Sequence, residues 1–280
     1  MIILGLALAM GIEGLAAGVT VRLKPDNHPM LEINGAHFNP PVTIKADGST
    51  IAGLRIVNSS GIIWLGGTIM APTASEPSAS RGYAAHAVNV EGLRFEGVSF
   101  TAAARGLVVT DSRNVTIRNS SFTGLRTDGI DAPGTSQLLI ENNRFTDFRP
   151  ILPTGSKADG NWKDGDHPDA IQFWTTATNP TMRDIIVRGN VIIGDTQGIS
   201  TFGPRGQGYD RIAVTGNSLT LSRQAGIALF ACRDCSITGN SVLATPDFPK
   251  KVNVRFDDSQ GRFCGNSIPS IPRHPAAAKC

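Results

Sequence analysis

Gly106-Leu107-Val108-Val109, followed by Ile117-Arg118-Asn119-Ser120-Ser121-Phe122, is a pair of short patterns that the chain repeats. The first, a small residue before apolar-x-apolar, returns at Gly129-Ile130-Asp131, Ala170-Ile171-Gln172-Phe173, Gly198-Ile199-Ser200-Thr201 and Gly226-Ile227-Ala228-Leu229. The second returns at Ile140-Glu141-Asn142-Asn143-Arg144-Phe145, Val187-Arg188-Gly189-Asn190-Val191-Ile192, Val214-Thr215-Gly216-Asn217-Ser218-Leu219 and Ile237-Thr238-Gly239-Asn240-Ser241-Val242. The period is 23 residues from Leu107 to Ile130, 41 from Ile130 to Ile171, and 28 to Ile199 and again to Ile227. Leu107 to Ile117, Ile130 to Ile140 and Ile227 to Ile237 each span 10 residues, so the two halves keep phase. A period in the twenties built from alternating strands means a solenoid. Gly and Asn at the joints suit corners with φ > 0. The helical half and recurring Leu of a leucine-rich repeat are missing, and a β-sandwich would not hold this phase. The expected fold is all-β: a single right-handed parallel β-helix of roughly eight to ten rungs, stacked about 4.8 Å apart.

Composition agrees with that reading. The 280 residues include 31 Gly, and only 6% are aromatic against 40% hydrophobic. A net charge of +3 permits an anionic partner, but no Lys/Arg run or interleaved aromatic motif marks a nucleic-acid binder. Residues 1–17 read as a secretory signal, with Gly14-Leu15-Ala16-Ala17-Gly18 as a small-residue cleavage site, or as a short apolar helix capping the solenoid. The apolar run falls short of ~20 residues and is interrupted by Glu13, so no membrane insertion is expected. The solenoid should occupy 18–268, with an insertion at 147–169 and a tail at 269–280. A secreted or periplasmic monomer is expected. Cys232-x-x-Cys235 has no second pair at ligand spacing for zinc. Disulfides near the C-terminal end fit an exported chain better, with Cys264 to Cys280 pinning the tail; plain thiols are the alternative.

The repeat breaks in one place. Phe122 to Ile130 is 8 residues and Ile192 to Ile199 is 7, but Phe145 to Ile171 is 26. Long loops on a rigid scaffold are where function concentrates. This one carries Lys157, Trp162, Lys163, Asp164, Asp166, His167 and Asp169. Aligning the rungs on Leu107, Ile130, Ile171, Ile199 and Ile227 stacks further polar residues beside the insertion. Two positions before the apolar residue stand Arg105, Asp128, Asp169 and Gln197. Four before stand Arg126 and His167. One after stand Val108, Asp131, Gln172, Ser200 and Ala228, a column that faces solvent and is polar only in its middle rungs. Asp128 and Asp169 should lie about one rung apart, near 5 Å. Carboxylates that close repel unless one is protonated or a cation lies between them. They can form an acid/base pair, hold Ca2+ or neutralise a substrate carboxylate, or simply cap turns. Asp128, Asp131, Asp169, His167 and Gln172 are expected to line one cleft walled by 147–166.

Over residues 42–268 the repeat resembles the pectate-lyase-like superfamily of carbohydrate-active β-helices, which act on polyuronates. Asp164-Gly165-Asp166-His167-Pro168-Asp169-Ala170-Ile171-Gln172-Phe173-Trp174 resembles the active-site rung of β-helix polysaccharide lyases. It lacks the Asp-Pro-His order of alginate C5-epimerases. Thr127-Asp128-Gly129-Ile130-Asp131 resembles polygalacturonases, but Asp169 and Thr196-Gln197-Gly198 replace their Asp-Asp and Gly-His-Gly rungs. The resemblance implies a lyase cleaving an acidic, uronate-containing polysaccharide by β-elimination. A C5-epimerase or polygalacturonase-like hydrolase is the alternative, and a glycan-binding adhesin or tail spike the non-enzymatic one.

A lyase must neutralise a uronate carboxylate and bring a base to C5. Gln172, protonated Asp169 or Asp128, or Ca2+ on those carboxylates could do the first. Lys163 first, or else His167 or an arginine, could do the second. Arg205, Arg126, Asp128 and Asp131 would contact substrate, Arg205 gripping a carboxylate bidentately. Trp162 and Trp174 would stack on sugar faces. No cofactor beyond Ca2+ is expected.

Overall fold

The structure, a computed structural model, describes residues 8–10, 12–71, 82–176, 178–203, 208–268 and 277–278. Among these there is no helix, and the strands form three long sheets. Each turn of the chain lays one strand in each sheet and returns to the first. In the first sheet the run is Leu31–Asn34, Leu54–Val57, Tyr83–Val88, Arg105–Thr110, Ile130–Asp131, Asp169–Trp174, Gln197–Phe202, Ala225–Phe230 and Asn253–Asp257, all parallel. The expected solenoid is therefore present. Leu8–Met10 adds antiparallel to Leu31–Asn34, so this part of the apolar N-terminal segment is a strand and not the helix expected of a cap.

The register matches the sequence alignment. Leu107, Ile130, Ile171, Ile199 and Ile227 are successive partners in the first sheet, and all are 0% exposed. Inside the tube Phe100, Phe122 and Phe145 stack at 4.7 and 4.6 Å between ring centres. What reads as two halves in sequence is three sheets, because the second pattern turns a corner between the second and third. The third-sheet strands are as short as Ser121–Thr123, too short to show a period of their own.

The paired residues at that corner do different jobs. The first of each pair takes positive φ: Asn142 at 56°, Gly189 at 64°, Gly216 at 62°, Gly239 at 66°. The second points inward, contrary to the expectation that both serve the turn. Asn143, Asn190, Asn217, Asn240 and Asn266 form a ladder in which each side-chain oxygen accepts the preceding rung's backbone N–H, at 3.0 Å for Asn143 and 2.9 Å for the others. The same amides donate to interior carbonyls, so this buried corner is paired.

Cys232 and Cys235 form a disulfide, which removes them as a zinc half-site. Cys280, proposed to partner Cys264, lies outside the described residues. Among the described residues no helix is long and apolar enough to cross a membrane.

Candidate active site

The site is built on three adjacent rungs of the first sheet. Ile130 and Ile171 fill the tube, and by strand alternation Asp131 and Gln172 stand on the outer face as register partners. Asp128 and Asp169 occupy the entry corner of the same rungs. Both are buried, at 3% and 1% exposure, and so is Asp131 at 5%. The column expected to face solvent is thus covered at Asp131.

Arg105, from the rung before, lies between two of these carboxylates. Its Nε is 2.6 Å from Asp128 Oδ2 and 3.8 Å from Asp131 Oδ2. The other Asp128 oxygen accepts the Asp169 backbone N–H at 3.2 Å. Asp131 Oδ1 accepts the Trp174 indole N–H at 3.0 Å. Gln172 Nε2 donates to Asp169 Oδ2 at 3.3 Å. Asp169 Oδ1 is buried without a hydrogen-bond partner, and so is Ser200 Oγ on the next rung. Ser200 lies close enough to pull the Asp169 pKa partly back down, without a hydrogen bond of ordinary geometry.

Three buried carboxyls this close, with Arg105 between only two of them, cannot all ionise freely. Burial raises Asp128, Asp131 and Asp169 alike. Burial and the neighbouring Asp128 carry Asp131 to about 6, with Arg105 and the Trp174 hydrogen bond opposing. Burial and the charges of Asp128 and Asp131 carry Asp169 to about 8. Asp169 is therefore protonated at neutral pH, and Asp131 titrates just below it.

The Ca2+ expectation does not fit this donor set. Both Asp128 oxygens are engaged, by Arg105 and by the Asp169 N–H. Among the described residues no group of three or more His, Cys, Asp or Glu side chains is arranged to hold a metal.

The single expected cleft is two. One, of about 880 Å³, is lined by Arg105, Asp131, Gln172 and Trp174 together with Tyr83, His86, Val108 and Phe202. Its wall is the turn through Thr176, Thr178 and Asn179, not the insertion. The other, of about 630 Å³, holds His167 with Leu152, Asp195, Gln197 and Arg223. His167 is exposed and faces Asp164 at 3.3 Å. The insertion is pinned beside this second cleft. Asp166 Oδ2 accepts the Ile151 N–H at 2.8 Å and meets Arg126 Nε at 3.0 Å, while Arg223 donates to the Asp166 carbonyl at 3.3 Å. Leu152 and His167 of the insertion line this second cleft, and none of its residues lines the Gln172 cleft. Lys163 is exposed, its backbone paired with Thr154. Trp162 is 41% exposed beneath the Lys157 ammonium, and neither it nor Lys163 lines the Gln172 cleft. Arg205 lies outside the described residues.

Three stacked parallel sheets and their inward columns match a known pattern: the family described as right handed beta helix region covers residues 34–242. The chain belongs to this right-handed β-helix family. No curated protein sequence matches it. Among solved right-handed β-helices, PfbA, a surface adhesin of Streptococcus pneumoniae, aligns with TM-score 0.61 at 12% identity, over 84% of this chain and 61% of the adhesin. The family 28 exopolygalacturonase of Yersinia enterocolitica aligns with TM-score 0.50 at 14% identity, over 90% of this chain and 65% of the enzyme. This chain spans less than two thirds of either structure, and at such identities the likeness is one of fold.

Two cleft residues escaped the sequence reading of this β-helix. Tyr83 and His86 lie on the rung before Arg105, with Tyr83 opposite Arg105 and His86 opposite Val108. They sit in Tyr83-Ala84-Ala85-His86-Ala87-Val88, which lacks the glycine that marks later rungs. The outer column is not confined to the middle rungs: below Val108 it continues to His86, Arg55 and Glu32, and beyond Ala228 to Arg255. Alternation around Ala85 and Ala87 was the available signal.

Proposed function

We propose that this chain is a polysaccharide lyase that cleaves a uronate-containing polysaccharide by β-elimination outside the cytoplasm. The observation that carries this reading is the convergence on one cleft of Arg105, Gln172 and Asp131, the last with its pKa raised to about 6. In β-elimination the C5–H bond breaks, its electron pair forms the C4=C5 double bond, and the C4–O4 bond breaks with a proton delivered to O4. The C5 proton is acidic only if charge developing on the adjacent carboxylate is stabilised. Arg105 and the Gln172 amide supply donors there, and protonated Asp169 holds Gln172 from beneath. Asp131, titrating near 6, is suited to donate to the leaving oxygen at mildly acidic to neutral pH. Trp174 and Phe202, 37% and 38% exposed at the rim, offer faces for sugar stacking. The Cys232–Cys235 disulfide supports an oxidising compartment.

Incubation with a panel of polyuronates tests the reading. Ultraviolet absorbance from an unsaturated uronate end is expected with at least one polymer. The three buried carboxyls also suit acid/base hydrolysis, which would release reducing ends without unsaturation.

A further inference from the structure

The outer column holding Asp131 and Gln172 has a gap one rung below Asp131. There Val108 presents a small apolar side chain, 5% exposed. On the far side of Val108 stands His86. Both flanks belong to the same cleft. His86 and Asp131 are two rungs apart, about 9.6 Å along the sheet at the usual strand spacing. That leaves room for one ring over Val108, with a nitrogen base at one end and a carboxyl at the other. The His86 ring packs edge-on to Tyr83 at 5.1 Å, and Tyr83 lies under the Arg105 guanidinium at 5.8 Å. These contacts give the imidazole a defined place.

We propose that His86 is the general base of this site, taking the C5 proton of a uronate ring seated over Val108 while Asp131 protonates the departing O4. The proposal rests on the lyase reading above. The proton from C5 goes to the imidazole, the C–H electron pair becomes the C4=C5 bond, and O4 leaves with the Asp131 proton. His86 and Asp131 then return to their starting states by proton exchange with water, so no co-reactant is needed.

The charge environment agrees. The titratable and charged groups around His86 are Arg55 on the rung below, itself paired with Glu32 at 2.6 Å, and Tyr83, Arg105, Asp111 and Asp131 around the cleft. Burial and then Arg55 lower the His86 pKa, so the ring is neutral and able to accept a proton at pH 7. Lys163 and His167, chosen from the insertion, do not line this cleft.

The test uses the full chain and the polyuronate that the wild type turns over best. His86→Ala and His86→Gln are expected to lower kcat by about 10² to 10⁴, the usual cost of losing a positioned base, with KM and the melting temperature nearly unchanged. Added imidazole is expected to restore part of the His86→Ala turnover, which a purely structural role would not allow. In D2O, a saturated uronate recovered from the wild type should carry deuterium at C5 if the intermediate returns, and His86→Ala should show none. Wild-type elimination with undiminished His86→Ala, or a loss in KM alone without imidazole rescue, overturns the assignment and leaves the lyase reading standing. Absence of both unsaturated product and C5 exchange with every polyuronate overturns the two together.

Discussion

Asp169 shows what single residues contribute to the site and what they cost. Its carboxyl is pushed from 3.8 to about 8, and Asp131 from 3.8 to about 6, chiefly by burial. In the unfolded chain both would titrate at ordinary carboxylate values. Between about pH 4 and pH 8 the folded protein therefore binds more protons than the unfolded one, and stability falls as pH rises through that window. Every tenfold change in proton affinity corresponds to about 1.4 kcal/mol, so the combined effect is several kcal/mol. Asp169→Asn keeps the shape without the charge. Its urea midpoint should match the wild type near pH 4 and exceed it near pH 9; equal midpoints at both would contradict the protonated assignment. Gln172→Ala should lower kcat by about 10-fold or more, since a donor to developing charge is lost. The neighbours Asp128, Asp131, Asp169, Gln172 and Trp174 were legible in sequence because each stands at a fixed offset from an inward isoleucine. That the first three are buried, two of them on Arg105, was not, because offset gives the rung but not how side chains fold over the corner.

At the scale of elements, the corner ladder does more than the turn chemistry suggested. Asn217 accepts the Asn190 N–H and side-chain amide through Oδ1, and donates to the Val187 and Asn240 oxygens. Asn217→Ala strips these buried partners at once. At about 1–3 kcal/mol for each unsatisfied buried group, it should cost at least about 2 kcal/mol, read as a lowered melting temperature. Asn217→Asp keeps the acceptor and loses the donors. It should also destabilise, because it places a carboxylate in the interior. A neutral Asn217→Ala would mean that water replaces the ladder. The sequence showed these asparagines as a repeating feature but could not separate the positive-φ residue from its inward neighbour. The insertion was equally visible as an interruption. Its direction depends on Asp166 meeting Arg126 and the Ile151 N–H, contacts that no spacing announces.

At the scale of the whole molecule, stacking turns each strand position into a line along the axis. The polar line through His86, Asp131, Gln172 and Arg255 runs beside a second one, three positions after each inward residue, that holds Trp174, Phe202 and Phe230 on successive rungs. Arg255 lies over the Phe230 ring at 4.8 Å, ending the aromatic row with a cation. The period alone disclosed the solenoid and the inward column. The outer rows needed the full register, since the aligned rungs stopped at Leu107 and the polar positions on either side went unread. A polymer held at Asp131 and lying along the axis would meet Trp174, then Phe202, then Phe230 and Arg255. Aromatic faces suit sugar rings, and a guanidinium suits a uronate carboxylate. Phe202→Ala and Arg255→Ala should each raise KM for long chains by about tenfold, equivalent to about 1.4 kcal/mol. Both should leave kcat, and the KM of the shortest cleavable oligosaccharide, unchanged. Size-fractionated oligouronates read the difference directly. An equal loss at every chain length, or none at any, would mean that the polymer crosses the sheet instead of following it.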